Sequence, residues 1–200
     1  MTTEEQQQGA AEFIERMRNR HPSLSGPGST LEQTREVREW LPCMMRERGI
    51  RRLVDVPCGD WCWMQATDLE GIDYVGLDLS QELIDTNRQR FAGHEFRRAN
   101  AITDELPDAD LVLSRDFFVH LTYEHAAAVI ANASRHARYL AATTFPGIVN
   151  RELGEWWPGW GWRPLDMEQP PFGLRMVDAV VDGHFDEYPT RSLGLFLLGD

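Results

Sequence analysis

Between residues 51 and 145 the chain alternates short apolar runs with amphipathic stretches. The runs are RRLVDVP, IDYVGLD, HEFRRA, ADLVLS and RYLAATTF, each of strand length and bounded by polar or turn-forming residues. Helical spacing fills several of the gaps: residues 81–91 follow Ser80, and residues 123–138 follow Thr122, both good N-cap residues. Strands alternating with helices in this way predict an α/β fold, a mostly parallel sheet with helices on both faces.

The flanks read differently. Residues 3–20 predict a helix with Phe13, Ile14 and Met17 on one side, and HPSLSGPGST predicts a loop. Val37, Trp40, Leu41, Met44 and Met45 then recur at helical period, and Ser29…Glu32 or Thr30…Gln33 has the spacing of a capping box for that helix. After Pro146 the alternation stops: residues 147–173 are rich in Trp, Pro and Gly, and LRMVDAVV and RSLGLFLLG predict an antiparallel C-terminal edge pair. The expected organisation is one structural domain, with residues 1–50 a helical cap packed on a core of residues 51–200.

Composition narrows the function classes. A chain of 200 residues with 42% hydrophobic content is long enough to bury a substantial core. The formal charge of -12 argues against a nucleic-acid partner, which needs a basic face, although Arg46, Arg48, Arg51 and Arg52 form a local basic run. No apolar run is long enough to span a bilayer and the acidic, polar N-terminus is unlike a signal peptide, so the expected location is cytoplasmic, with no membrane partner. Cys43, Cys58 and Cys62 read as reduced thiols, and no Cys/His spacing suggests a metal site.

In open α/β sheets, ligands bind beyond the carboxyl ends of the strands, so the residues that end each run carry the chemistry. The first run ends at Asp55, before the turn Pro57-Cys58-Gly59-Asp60. The second ends at Asp78, 23 positions later, where a carboxylate can accept from both hydroxyls of a ribose. Asn100 follows the third, and Ser114-Arg115-Asp116 ends the fourth. Any one of these acids can equally be a helix cap or a turn residue.

In order, these features resemble the class I S-adenosylmethionine-dependent methyltransferases. More narrowly, GPGSTLEQT, DVPCGDWCWM, YVGLDLS, LVLSRDFFVHL, TTFPG, NREL, GWRPLDMEQPPF and SLGLF are similar to phrases of a bacterial branch of them; the resemblance spans residues 24–200. It implies a Rossmann-like fold with S-adenosylmethionine as cofactor and S-adenosylhomocysteine as product. It places Asp55 and Gly59 beside the methionine moiety, Asp78 at the ribose, and Asn100 and Ala101 near the adenine. Pro57, Cys58, Trp61, Leu79, Ser114 and Arg115 complete the implied cofactor set. Pro57 and Trp61 stand at two of the glycine positions of the wider class pattern, which also tells against a pyrophosphate, since that group needs glycine for close backbone approach. Asp55 and Asp60 suit a sulfonium cation, and Trp61 or Trp63 either offers it a π face or packs into the core.

Asp116 and His120, at i and i+4, are the candidate general bases for a hydroxyl or amine acceptor; otherwise they cap and pack. Arg115 can orient an anionic group. Trp156, Trp157, Trp160, Trp162 and Arg163 form the candidate substrate side, and the Trp-rich stretch reads either as an aromatic lid or as a minicore. The expected activity is methyl transfer to an oxygen or nitrogen of a small molecule, in bacterial secondary metabolism or sugar modification. The alternatives are a non-catalytic cofactor-binding or partner-binding module and a nicotinamide-dependent oxidoreductase. The sequence does not speak to oligomeric state.

Overall fold

The computed structural model describes residues 3–18, 20–153 and 161–199. Seven strands form one sheet: β1 (Arg52–Asp55), β2 (Asp73–Asp78), β3 (Glu95–Arg98), β4 (Ala109–Ser114), β5 (Ala137–Thr144), β6 (Arg175–Val181) and β7 (Ser192–Leu197), in the order β3-β2-β1-β4-β5-β7-β6. The first five are parallel. β7 runs antiparallel between β5 and β6, so the C-terminal pair lies at the sheet edge, as expected of its two apolar runs. The architecture is the mostly parallel, Rossmann-like sheet expected from the sequence.

The strands are apolar on both faces because both faces are covered. Leu53, Leu111 and Leu113 pack into one core, and their neighbours Val54 and Val112 into the other. Helix α2 (Arg35–Glu47) closes the first core with Val37, Leu41, Met44 and Met45, all buried, each contributing about 1.5–3 kcal/mol. Helix α4 (Tyr123–His136) closes the second with Ala126, Val129 and Ala133. Helix α3 (Gln81–Arg90) adds Ile84 to the first core.

Two predicted caps form. Ser80 accepts from Leu83 N and Thr122 from His125 N, at the starts of α3 and α4. The third does not: α2 begins at Arg35 behind Thr34, which makes no side-chain cap. Thr30 instead accepts from Gln33 N within the turn before the helix, while Pro27–Ser29 form a short 3-10 helix. The capping-box spacing thus organises a turn rather than the helix start. The basic run is partly paired, Arg48 with Asp178 and Arg52 with Asp73. Among the described residues, no helix is long and apolar enough to cross a membrane.

Helix α1 (Thr3–Arg18) lies over the carboxyl end of the sheet. Ile14 and Met17 are buried, Arg18 pairs with Glu82 of α3, and Gln6 reaches the residues after β3.

Candidate functional site

The strand order reverses between β1 and β4, and a cavity of about 260 Å³ opens there, beyond the carboxyl ends of β1, β2 and β4. Asp55, Cys58 and Gly59 line one part of it, Asp78 and Leu79 another, and Ala99 to Ile102 a third. Arg115, Asp116 and His120 supply the wall after β4. The roof is α1, through Gln6, Gly9, Ala10, Phe13 and Ile14.

The two strand-end carboxylates are buried. Asp78 accepts from Gly59 N at 3.0 Å and from Ser80 N at 2.8 Å, one bond on each oxygen, which couples the turn after β1 to the end of β2. Burial pushes its carboxyl up to about 6 against those backbone bonds. Asp55 accepts from the Tyr74 hydroxyl at 2.7 Å; burial pushes it up to about 7, opposed by that bond and reinforced by the charge of Asp78. Both carboxyls are thus harder to ionise than free acids; a nearby cation would favour their charged forms and an anion would oppose them.

The glycine turn is not a phosphate cradle. Gly59 has φ +57°, and a Cβ there would lie 2.0 Å from Ser25 Oγ. Its glycine admits the segment before α2, whose Ser23, Leu24 N and Ser25 all donate to Asp60. Asp60 is thus occupied by this docking and does not line the cavity, contrary to its expected role beside a sulfonium.

After β4 the chain turns sharply at Asp116, which has φ +55°, a conformation that Asp tolerates better than most residues. Arg191 Nη2 donates to Asp116 Oδ2 at 2.7 Å and to Asp182 Oδ2 at 3.1 Å. Arg115 donates to Asp182 Oδ1 through Nε at 2.9 Å and Nη2 at 2.7 Å, and to the Gly28 carbonyl at 2.7 Å. Thr143 Oγ1 donates to Asp182 and accepts from Asp116 N. Burial would raise the Asp116 carboxyl, but the charges of Arg191 and Arg115 outweigh it and hold the group below the ordinary carboxylate range.

His120 ends a 3-10 helix (Phe118–His120), and its Nδ1 lies 2.7 Å from the Gly161 carbonyl. Burial lowers its pKa, against that carbonyl and the charge of Asp116, so the ring is neutral at pH 7. A carbonyl only accepts, so Nδ1 carries the proton and Nε2 the lone pair.

Of the residues singled out in the sequence, Asp55, Pro57, Cys58, Gly59, Asp78 and Leu79 line this one cavity. So do Asn100, Ala101, Arg115, Asp116 and His120. Trp61 does not. It turns into the core at φ +57°, against Phe91, His94, Tyr74 and Phe96, so of its two readings packing is the one adopted. Trp63, by contrast, both packs in the core and lines the cavity, with the Arg115 guanidinium 5.5 Å from its ring.

Ser114 is also corrected: its hydroxyl donates to Val56 O at 2.6 Å, a tie between strand ends that leaves it outside the lining. Trp162 lies against Phe145 and Tyr188, away from the cavity. Arg163 is spent on structure, donating to Arg151 O and to Val119 O and stacking over Tyr123. Trp156, Trp157 and Trp160 lie outside the described residues.

The sequence reading missed the roof. Phe13 and Ile14 were legible as an apolar face, but not what that face covers. Ser25, in a stretch read as loop, and Ser29, read as a helix cap, also line the cavity. Among the described residues, no group of three or more His, Cys, Asp or Glu side chains is placed to hold a metal.

Residues 54–139, the span from within β1 into β5, match the family model of a methyltransferase domain. No curated protein matches the chain by sequence. Among solved structures, it is similar to a TehB-like SAM-dependent methyltransferase from Corynebacterium glutamicum, with 17% identity, TM-score 0.62, and 95% of this chain and 98% of that one covered. It is also similar to an S-adenosylmethionine-dependent methyltransferase from Clostridium acetobutylicum, with 12% identity, TM-score 0.62 and coverage of 82% and 91%. A third is the magnesium protoporphyrin IX methyltransferase from Synechocystis with bound SAM, with 12% identity, TM-score 0.62 and coverage of 84% and 80%. At these identities the likeness is one of fold.

Proposed function

We propose that this methyltransferase uses S-adenosylmethionine to methylate an oxygen or nitrogen of a small-molecule acceptor. The observation that carries the reading is the pair of buried carboxylates, Asp55 and Asp78, ending adjacent strands on one cavity. Burial raises both carboxyls, a bound cation would favour their charged forms, and the crowded Pro57-Cys58-Gly59 turn suits a ligand without phosphate.

When bound, S-adenosylmethionine supplies an electrophilic methyl carbon on a cationic sulfur that leaves as the neutral thioether of S-adenosylhomocysteine. Asp78 holds the ribose: a carboxylate offers about four lone-pair sites, and the backbone takes two. Asn100 and Ala101 would hold the adenine, and Asp55 and the Gly59 turn the methionine portion. Arg115, fixed on Asp182, supplies positive charge for the methionine carboxylate.

His120 acts as the base and Asp116 does not. A carboxylate held by Arg191 is a weak proton acceptor at neutral pH, whereas a neutral imidazole is suited to the task. His120 Nε2 would take the acceptor proton, leaving the acceptor its electron pair for the methyl group that the cofactor would supply. Enclosure by α1 holds the acceptor in place and keeps water out, and such positioning supplies much of the acceleration in a displacement of this kind.

The test incubates the protein with S-adenosylmethionine bearing an isotopically labelled methyl group and a panel of small hydroxyl and amine compounds, with products read by mass spectrometry. Label transfer that His120→Gln abolishes while S-adenosylhomocysteine binding persists is the expected result. Binding without transfer to any acceptor would favour a non-catalytic module.

A further inference from the structure

The stretch after β5 meets the wall of the cavity at His120. Gly161 O lies 2.7 Å from His120 Nδ1, and two residues on, Arg163 N donates to Val119 O at 3.0 Å. The Arg163 guanidinium adds bonds to Val119 O at 3.2 Å and Arg151 O at 2.8 Å. Residues 161–163 are thereby stitched along the 3-10 helix that carries His120. This explains why a buried arginine sits where the sequence suggested a substrate contact: it fixes backbone against backbone.

Gly161 is suited to that place in a specific way. A Cβ there would lie 2.6 Å from Leu153 Cδ1 and 2.8 Å from Leu153 Cγ, closer than carbon atoms approach. Any side chain forces either Leu153 or the 161 backbone, and with it the carbonyl, to move. The glycine leaves room for the Leu153 side chain beside the carbonyl that faces the imidazole.

We infer that Gly161 is a positioning residue that sets the tautomer of His120, so that the stretch after β5 arms the base for acceptors carrying an O–H or N–H on the nucleophilic atom. The inference rests on the methyl-transfer reading for its purpose, but its geometry is independent of that reading. With the proton on Nδ1 and directed to Gly161 O, the ring can take a second proton only at Nε2. The Nδ1 bond survives that step, since the imidazolium still donates to the same carbonyl, and Nε2 releases its proton to solvent between turnovers without a ring flip. Asp116 and Arg163, the charged groups that act on His120, oppose one another: Asp116 favours the imidazolium and Arg163 the neutral ring.

The experiment is long-range proton–nitrogen NMR of the full chain labelled at histidine nitrogen, with the His120 signals identified by their loss in His120→Gln. The wild type is expected to show Nδ1 protonated and Nε2 unprotonated at neutral pH. In Gly161→Ala the Nδ1–H form should give way to a mixture of tautomers, and Gly161→Ala combined with Leu153→Ala, which removes the obstructing atoms, should restore it. Calorimetry with S-adenosylhomocysteine runs on the same samples and should give the same affinity within about twofold for all three proteins, since Gly161 does not line the cofactor cavity. An Nε2–H tautomer in the wild type, or an unchanged spectrum in folded Gly161→Ala, overturns the inference. An intact Nδ1–H form with no S-adenosylhomocysteine binding overturns the methyl-transfer reading instead, and with it the purpose assigned to the clamp.

Discussion

Arg191 donates to Asp116 at 2.7 Å while also donating to Asp182, so the acid that ends the β4 turn is one member of a buried ion-pair network. The hub is Asp182, fully buried and receiving bonds from Arg115, Thr143 and Arg191. Through it the turn after β4, the end of β5 and the C-terminal hairpin are held as one unit.

Removing the hub leaves two guanidinium groups short of their partner. Asp182→Asn is expected to cost about 3–5 kcal/mol of unfolding free energy, the range for breaking a buried pair. Asp116→Asn should cost less, about 1–3 kcal/mol, because Arg191 keeps Asp182. Urea unfolding of the two variants beside the wild type checks the order and the sizes.

The raised carboxylates predict two opposite pH slopes. In the unfolded chain both acids titrate near 3.9, whereas in the folded protein Asp78 is pushed up to about 6 and Asp55 to about 7. Between about pH 4 and 7 the folded state binds more protons than the unfolded one, so these groups lend stability at low pH that is lost as pH rises through 6 to 7. Cofactor binding should run the other way, strengthening over pH 5.5 to 8 by at most about tenfold per pH unit for each proton displaced. Melting temperatures without ligand and dissociation constants, both measured across that range, test the two signs together.

Helix α1 should govern cofactor escape. Ile14 is buried on the cavity, and burial of such a side chain contributes about 1.5–3 kcal/mol, so Ile14→Asp should undock the helix. Stopped-flow displacement of S-adenosylhomocysteine is expected to show a dissociation rate raised roughly tenfold or more, the equivalent of about 1.4 kcal/mol. Circular dichroism should show the sheet intact.

Gly59 cannot carry a side chain. Its φ of +57° costs an L-residue about 1–2 kcal/mol, and the Ser25 hydroxyl occupies the space of a Cβ. Gly59→Ala should therefore lower stability and release the segment around Ser25. Adding Ser25→Gly should recover the part due to the clash and leave the backbone part, which paired melting curves separate.

Periodicity made the fold legible because the strands are covered on both faces and two helices begin at true caps, Ser80 and Thr122. Strand-end acids made half the site legible, since topology alone carries Asp55 and Asp78 to one cavity. What could not be read depends on three-dimensional competition. Trp61 had two destinations, and the aromatic surface of Phe91, Tyr74 and Phe96 won it. Ser114, Trp162 and Arg163 match the types that touch ligands, yet each meets a backbone or aromatic partner first. The roof by α1 escaped notice because an amphipathic helix does not state which surface it covers.

The most direct test of the account is titration calorimetry of S-adenosylhomocysteine into the wild type and Asp78→Asn, with the oxidised nicotinamide dinucleotide as comparison ligand. The account predicts one site per chain for S-adenosylhomocysteine, at least about tenfold weaker in Asp78→Asn because charge-assisted bonds contribute about 1.5–3 kcal/mol, and no heat from the dinucleotide. Binding of the dinucleotide in place of S-adenosylhomocysteine, or an affinity indifferent to Asp78→Asn, would contradict it.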